Sequence, residues 1–178
     1  MTRLIFDTES DGLRHEATKL HCIVTKDVDT KAVYQFYGAE TIPGDHGSIE
    51  LGISYLLQAE ELIGHNIIRH DLPLIESLYH VQFKAHKVDT LVLSKALNAD
   101  RAFPKGCPGS VVNPLTGKSS RIGPHSLAAW GYRLGRKKPE HHDWQTFSLD
   151  MLHRCKEDVE INYLTYCALL QEINACEN

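Results

Sequence analysis

Three short apolar segments open the chain, and each is rich in Ile, Val, Phe and Tyr. They cover residues 3–7, 20–26 and 32–38. Turn-forming residues separate them, namely Asp11-Gly12 and the stretch 27–30. Short apolar runs bounded by turn residues are typical of β-strands. The pattern therefore predicts three successive antiparallel strands.

Beyond these strands the apolar positions adopt a helical spacing that is interrupted by short buried runs. Pro73 is compatible with a helix because it falls in the first turn, where its missing N–H has no intrahelical partner. The spacing predicts helices over 47–60, 71–79 and 90–98, with strands at 61–64 and 87–88 between them.

The last third of the chain begins with a stretch rich in glycine and proline. Residues 104–124 show no periodicity and are predicted to form a long loop. Ser126 is a suitable cap for a helix that runs to about Leu134, and a final helix is predicted over 148–173. Strands followed by alternating helices and strands predict an α/β fold with a mixed sheet.

The length and composition fit one ordinary domain, over residues 1–178, with a sizeable core. The chain has 178 residues and is 42% hydrophobic, but no apolar run approaches the ~20 residues that span a bilayer. We therefore expect a soluble, cytoplasmic protein. The cysteines are odd in number and never form a Cys-x-x-Cys pair, which favours reduced thiols over a disulfide framework or a zinc site: Cys22, Cys107, Cys155, Cys167 and Cys176.

The formal charge of −4 is distributed unevenly along the sequence. Residues 101–139 hold eight basic side chains and no acidic one, so the remaining eleven basic and 23 acidic side chains leave the rest of the chain at −12. A basic stretch beside an acidic remainder suits a metal-using nuclease, because carboxylates hold cations while lysine and arginine attract phosphates. A merely solvated basic face is the alternative interpretation.

Two acidic residues lie at the end of the first predicted strand. Asp7 and Glu9 are separated by one residue, so strand alternation directs both carboxylates to the same face. Such a pair is a natural site for Mg²⁺, which prefers oxygen ligands. A solvated strand end is the alternative, since the Asp-x-Glu pattern is common by chance.

Two further acidic positions have unremarkable interpretations when each is taken alone. Asp71 follows Gly64-His65-Asn66 at the start of a predicted helix, where an ordinary N-cap is the simplest role. Asp158 lies within the last predicted helix, five residues after His153. The ordered set Asp-x-Glu, Asn-x4-Asp and His-x4-Asp is much harder to reach by chance than any of its parts.

With these motifs the chain resembles the DEDD, or DnaQ-like, 3′→5′ exonucleases, and more closely the proofreading exonuclease domain of phage A-family replicative DNA polymerases. Besides the acidic motifs, the stretches 88–94 and 125–135 look characteristic of those phage domains. The resemblance covers nearly the whole chain. It implies a ribonuclease-H-like fold, with a mixed central β-sheet flanked by α-helices.

The resemblance also implies the chemistry of the site. Asp7, Glu9 and Asp158 are expected to hold one divalent ion, Mg²⁺ or Mn²⁺, Asp7 also a second, and Asp71 is expected to act chiefly through metal-bound water. Two such ions activate a water and stabilise the attacking and leaving oxygens. The products would be nucleoside 5′-monophosphates released from single-stranded DNA 3′ ends.

The general base is where the chain departs from the polymerase pattern. That pattern has a tyrosine four residues before the last aspartate, and here the position is Arg154, which cannot accept a proton at neutral pH. His153 matches the spacing of the histidine subclass and is the preferred base. On a continuous helix, however, His153 would lie about 140° around the axis from Asp158. In that case Arg154 would share the face of Asp158 and contact the scissile phosphate, with His70 or His125 as substitute base or no base at all.

Thr8, His65 and Asn66 are expected to contact the terminal nucleotide, because the resemblance places them beside the acidic residues. The basic loop 101–121 either guides the incoming strand or is passive.

Two other functions remain open, an exoribonuclease or oligoribonuclease acting on short RNA and an inactive nucleic-acid-binding module. The expected partners are single-stranded DNA ends and phage or host replication proteins, with no membrane. If the chain is phage-encoded, its location would be the host cytoplasm, and the oligomeric state is left open.

Overall fold

A five-stranded sheet forms the centre of the fold. The computed structural model describes residues 2–38 and 47–176, so residues 1, 39–46 and 177–178 of the predicted domain 1–178 lie outside the described residues. The elements, in chain order, are β1 (Arg3–Ser10), β2 (Leu20–Asp27), β3 (Val33–Tyr37), α1 (Ile49–Leu57), β4 (Glu61–Gly64), α2 (Asp71–Tyr79), β5 (His86–Asp89), α3 (Thr90–Leu97), β6 (Ser110–Val112), β7 (Ser119–Arg121), α4 (Leu127–Arg133) and α5 (Leu149–Cys176).

The strands of the main sheet are arranged in the order β3-β2-β1-β4-β5. The first three pair antiparallel, as the turn residues between them predicted. On the other side of β1, β4 pairs parallel to β1 and β5 pairs parallel to β4. The sheet is therefore mixed, and the predicted α/β fold with a mixed central sheet is confirmed.

The alternation of β1 divides the core between the two faces of the sheet. Leu4 and Phe6 pack with residues of α1 and α2. Ile5 points the other way and packs with Val159 and other residues of α5. Because side chains alternate along a strand, the odd-numbered residues that follow Ile5 also face α5.

Serine caps set the starts of three helices. Ser48 Oγ accepts a hydrogen bond from the N–H of Leu51 at 3.2 Å, so α1 begins two residues later than predicted. Ser126 Oγ accepts from Ala129 N at 3.2 Å, as expected for the predicted cap. Ser148 Oγ accepts from Met151 N at 3.1 Å at the start of α5. These bonds satisfy backbone donors that otherwise have no partner in the first helical turn.

The predicted loop 104–124 contains a hairpin, which the sequence did not reveal. β6 and β7 pair antiparallel, with Val111 opposite Ser120. Each strand has three residues, and all six residues are exposed. The strands are too short and too uniformly exposed to give the alternating apolar pattern by which a strand is recognised in a sequence. The prediction of a loop without secondary structure was therefore wrong.

The five cysteines are free thiols in the structure. Among the described residues, no helix is both long enough and apolar enough to cross a membrane.

Candidate active site

Three carboxylates meet where β1 passes under α5. One oxygen atom from each of Asp7, Glu9 and Asp158 lies within 4.8 Å of the others. Asp7 and Glu9 share a face of β1, and Asp158 is on the side of α5 that packs against that face. The Asp158 side chain is only 3% exposed. The structure thus brings together three of the four acidic residues that the sequence singled out.

The fourth acidic residue, Asp71, is held to the same strand from the side of α2. Thr8 Oγ1 donates a hydrogen bond to Asp71 Oδ1 at 2.7 Å. The other carboxylate oxygen of Asp71 lies 3.8 Å from His70 Nδ1. All four acidic side chains line one cavity of about 870 Å³. The hydroxyl of Thr8 thereby positions an acidic residue, a role that the sequence did not suggest.

A tight turn between β4 and α2 places Asp71. A Cβ atom at Gly64 would lie 2.0 Å from Ile67 Cγ2, so only glycine fits at this point. Asn66 adopts a left-handed conformation with φ of 68°, which asparagine tolerates better than most residues. The carboxylate of Asp89 accepts hydrogen bonds from the N–H groups of Asn66 and Ile68, at 2.9 and 3.2 Å. The turn is thus fixed from the end of β5.

Crowding of the carboxylates disfavours their ionisation. Burial raises the pKa of Asp7 well above its ordinary value, and the charges of Asp158, Asp71 and Glu9 raise it further. Burial, followed by the charge of Asp158, raises the pKa of Glu9 to about 7, although Arg154 and Lys138 oppose the shift. A bound cation would stabilise the ionised form of such carboxyl groups.

Two basic side chains already contact the acidic cluster. Lys138 Nζ forms a close ion pair with Asp158 Oδ2. Arg154 Nε lies 3.5 Å from Glu9 Oε1, and its guanidinium lies over the ring of Trp144 at 5.2 Å. The sequence identified Lys138 only as one of eight basic residues. Its contact depends on tertiary structure, because it lies 20 residues before Asp158 along the chain.

The donor set suits a hard divalent cation. Asp158 Oδ1 is buried and has no hydrogen-bond partner, so its desolvation is uncompensated. Together with Asp7 and Glu9 it offers only oxygen ligands, which Mg²⁺ and Mn²⁺ prefer over nitrogen and sulfur. These three residues fit a divalent-ion site better than a purely structural cluster.

The structure does not bring His153 to the acidic cluster. α5 is continuous from Leu149, so His153 projects away from the face of Asp158 and is exposed. Arg154 lines the cavity in its place. The expectation of His153 as general base is therefore corrected: the helix would have to begin or distort near residue 153, and instead it begins at Leu149 behind the Ser148 cap.

The other histidines named by the sequence differ in position. His125 is buried, with Nδ1 3.0 Å from Ser94 Oγ and Nε2 3.3 Å from the carbonyl of Ala99, and it does not line the cavity. His70 does line it, and the interaction of its imidazole with the Asp71 carboxylate, which is the acceptor of the pair, raises the pKa of His70. Of the substitute bases considered from the sequence, only His70 is placed beside the acidic residues.

His65 and Asn66 also line the cavity. Burial lowers the pKa of His65 to about 3, and nearby Lys138 adds to the shift, so the imidazole is neutral at physiological pH. Its Nδ1 lies 3.0 Å from Thr90 Oγ1, which itself donates to Asn162 Oδ1 at 2.7 Å. The Nδ1–H of His65 is therefore the donor to Thr90, and Nε2 is left as an acceptor.

The raised pKa of Glu9 predicts a pH-dependent stability in the presence of a chelator. A carboxyl group with a folded-state pKa of about 7 and an ordinary value of 4.5 binds protons more tightly in the folded protein. Its contribution to stability is therefore complete below pH 4.5 and is lost as the pH rises through about 7.

We expect the melting temperature of the wild type, relative to that of Glu9→Gln, to fall as the pH rises from 4.5 to about 7. Thermal unfolding in the presence of EDTA, measured across this range, tests the prediction. Asp100→Asn, at an exposed aspartate outside the cavity, is the matched control. A constant difference between wild type and Glu9→Gln at all pH values would contradict the prediction.

Comparison with known proteins gives two sequence relatives. The chain is 32% identical over 149 residues to a DNA-directed DNA polymerase of Escherichia phage T7, and 32% identical over 155 residues to that of Enterobacteria phage T3. Each match covers 79% of this chain and 20% of the polymerase. The chain thus spans about a fifth of the length of the relatives it matches. No family model matches the sequence.

Solved structures with the same fold include several nucleases. Brucella melitensis NrnC, also solved with bound Mg²⁺, covers 98% of this chain and 75% of its own, with a TM-score of 0.64 and 17% identity. Escherichia coli exonuclease I in complex with a dT13 oligonucleotide has a TM-score of 0.55 and 17% identity, and covers 95% of this chain and 40% of its own. The family B DNA polymerase of Pyrobaculum calidifontis has a TM-score of 0.58 and 12% identity, with 96% of this chain and 24% of its own covered.

Proposed function

The chain belongs to the DEDD, or DnaQ-like, family of 3′→5′ exonucleases, and from this premise we propose that it removes nucleoside 5′-monophosphates one at a time from the 3′ ends of single-stranded DNA. The observation that carries the proposal is the convergence of Asp7, Glu9, Asp71 and Asp158 in one cavity. An inactive binding module is disfavoured, because it would have no reason to keep four mutually repelling carboxylates together.

We propose that the acidic residues hold two divalent ions, Mg²⁺ or Mn²⁺. Asp7, Glu9 and Asp158 would bind one ion, Asp7 would also bind the second, and Asp71 would act chiefly through metal-bound water. The ions would supply charge neutralisation and Lewis acidity at the scissile phosphate. The chain's own contribution is to fix the ligands: Asp7 and Glu9 on a rigid strand, and Asp71 through the hydroxyl of Thr8.

The cations beside the acidic cluster are proposed to bind the phosphate. Arg154 takes the place of the tyrosine of the polymerase pattern, and a guanidinium there serves as a hydrogen-bond donor rather than as a proton acceptor. Lys138 pairs with Asp158. When a divalent ion binds Asp158, the lysine would be released from the carboxylate toward the negative charge of the strand. His65 and Asn66, which line the same cavity, are proposed to contact the terminal nucleotide.

Adjacent residues of α5 give a sharp test of this assignment. We expect Arg154→Ala to lower kcat by about 10²-fold, because a donor aimed at developing phosphate charge is lost. Arg154→Lys should restore part of kcat, since it keeps the charge. His153→Ala should stay within about twofold of the wild type, as for other exposed positions away from a site.

Steady-state kinetics on a labelled oligonucleotide measures these three variants. A large loss in His153→Ala together with a small one in Arg154→Ala would contradict the assignment and restore the histidine as general base.

The activity itself is tested with 5′-labelled single-stranded DNA and RNA of matched sequence, incubated with Mg²⁺ or Mn²⁺ and resolved over time. We expect a metal-dependent ladder that shortens from the 3′ end, and faster degradation of the DNA. Faster degradation of the RNA would identify an exoribonuclease. Absence of cleavage of either strand would overturn the proposed function.

A further inference from the structure

The cavity that holds the acidic residues has a second wall, which comes from the β6–β7 hairpin. Val111 and Val112 of β6 line it, together with Ile122, the residue that follows β7. We call these three residues the hairpin wall. The acidic residues come from β1, α2 and α5, so the hairpin belongs to the cavity without belonging to the acidic cluster.

The hairpin wall is apolar but contributes little to the core. Val111 and Val112 are 38% and 57% exposed, whereas Ile122 is 9% exposed and anchors the base of the hairpin. The N–H of Ile122 donates to the carbonyl of Gly109 at 3.0 Å, which ties the two ends of the hairpin together. The valines are therefore exposed on a hydrogen-bonded hairpin, and an apolar surface beside a polar site indicates a contact surface for a ligand.

The charge around the hairpin wall identifies the kind of ligand. The hairpin lies within residues 101–139, which carry eight basic side chains and no acidic one. Lys118 and Arg121 are exposed on the hairpin itself, and Lys137 and Lys138 line the cavity. Apolar side chains flanked by cations match an unpaired nucleic-acid strand, whose bases offer apolar faces and whose backbone offers phosphates.

Size supports the same conclusion. The cavity of about 870 Å³ is near the upper end of the range for small-molecule sites, which is roughly 300–1,000 Å³. It has room for more than the terminal nucleotide, and the acidic residues occupy only one part of its lining.

We propose that the hairpin wall contacts the bases of the unpaired nucleotides that precede the terminal one, and thereby retains single-stranded DNA in the cavity between cleavage steps. This inference rests on the proposed exonuclease function and specifies how the strand is bound. It also favours one of the two roles considered for the basic loop 101–121, namely guiding the incoming strand. A passive loop would need no apolar residues in the cavity.

The test compares two phosphodiester substrates that both release a nucleoside 5′-monophosphate but differ in length. The first is a single-stranded DNA oligonucleotide, which reaches the hairpin wall. The second is the p-nitrophenyl ester of thymidine 5′-monophosphate, in which the thymidylate fills the position of the terminal nucleotide and a p-nitrophenyl group replaces the rest of the strand. Val112→Asp introduces a negative charge in the hairpin wall. Val33→Asp makes the same change at an exposed strand residue of β3, 43% exposed and outside the cavity, and is the matched control.

We expect Val112→Asp to raise KM for the oligonucleotide at least about fivefold more than KM for the ester, because the added charge repels phosphates. Val33→Asp should leave both substrates unaffected. Binding of the same oligonucleotide in Ca²⁺, followed by fluorescence anisotropy, should weaken in Val112→Asp alone.

Equal KM values and equal binding in Val112→Asp and Val33→Asp would overturn the role of the hairpin wall while leaving the exonuclease intact. Failure of the wild type to cleave either substrate would instead overturn the proposed function, and the binding measurement would still decide on the hairpin wall.

Discussion

Replacing Asp7 with alanine should abolish hydrolysis of single-stranded DNA, with a loss of about 10³-fold or more in kcat, and should leave the protein folded. Asp7 is proposed to ligate both metal ions, and loss of a several-kcal/mol electrostatic contribution corresponds to this factor. The same substitution removes a buried carboxylate whose pKa is raised by burial and by three acidic neighbours. In the presence of a chelator the melting temperature should therefore not fall.

Metal binding gives this prediction a measurement that is independent of catalysis. In calorimetric titrations with Mn²⁺, the wild type should release heat upon binding and Asp7→Ala should not. Asp100→Ala removes an exposed acidic residue outside the cavity and should resemble the wild type in both activity and titration. Strong residual cleavage by Asp7→Ala, with Mn²⁺ binding retained, would refute the site.

The set of acidic residues was predictable from the order of its motifs, and local rules account for part of it. Strand alternation directs Asp7 and Glu9 to one face, and this face is the one that packs against α5. Asp71 opens α2 after the turn that follows β4, near the edge of the sheet where side chains meet. The fold followed from the same local patterns, since alternating helices and strands after an antiparallel start leave few topologies.

The cations of the site were less predictable, because they depend on contacts between distant segments. Lys138 reaches Asp158 from the segment that joins α4 to α5, and no periodicity marks that segment. The choice between His153 and Arg154 required the starting point of α5, since a shift of one residue on a helix changes the direction of a side chain by about 100°. The hairpin escaped detection because its strands are short and exposed.

Asp89 is a buried polar residue whose replacement should strongly affect stability. Its buried carboxylate accepts hydrogen bonds from four backbone N–H groups: those of Leu91 and Val92 at the start of α3, and those of Asn66 and Ile68 in the turn that places Asp71. It is only 5% exposed, so water cannot replace it as an acceptor. One side chain thus caps a helix and fixes the active-site turn.

Asp89→Ala should lower the free energy of unfolding by about 3 kcal/mol, because it removes an N-cap and leaves buried N–H groups without partners. For a chain of this size the loss corresponds to a fall of roughly 10 °C in melting temperature. Asp89→Asn keeps one acceptor oxygen but places an amide group toward a backbone donor, so it should be intermediate. Denaturant unfolding in EDTA measures all three proteins without a contribution from metal. A loss below about 0.5 kcal/mol in Asp89→Ala would show that water or backbone rearrangement satisfies these donors.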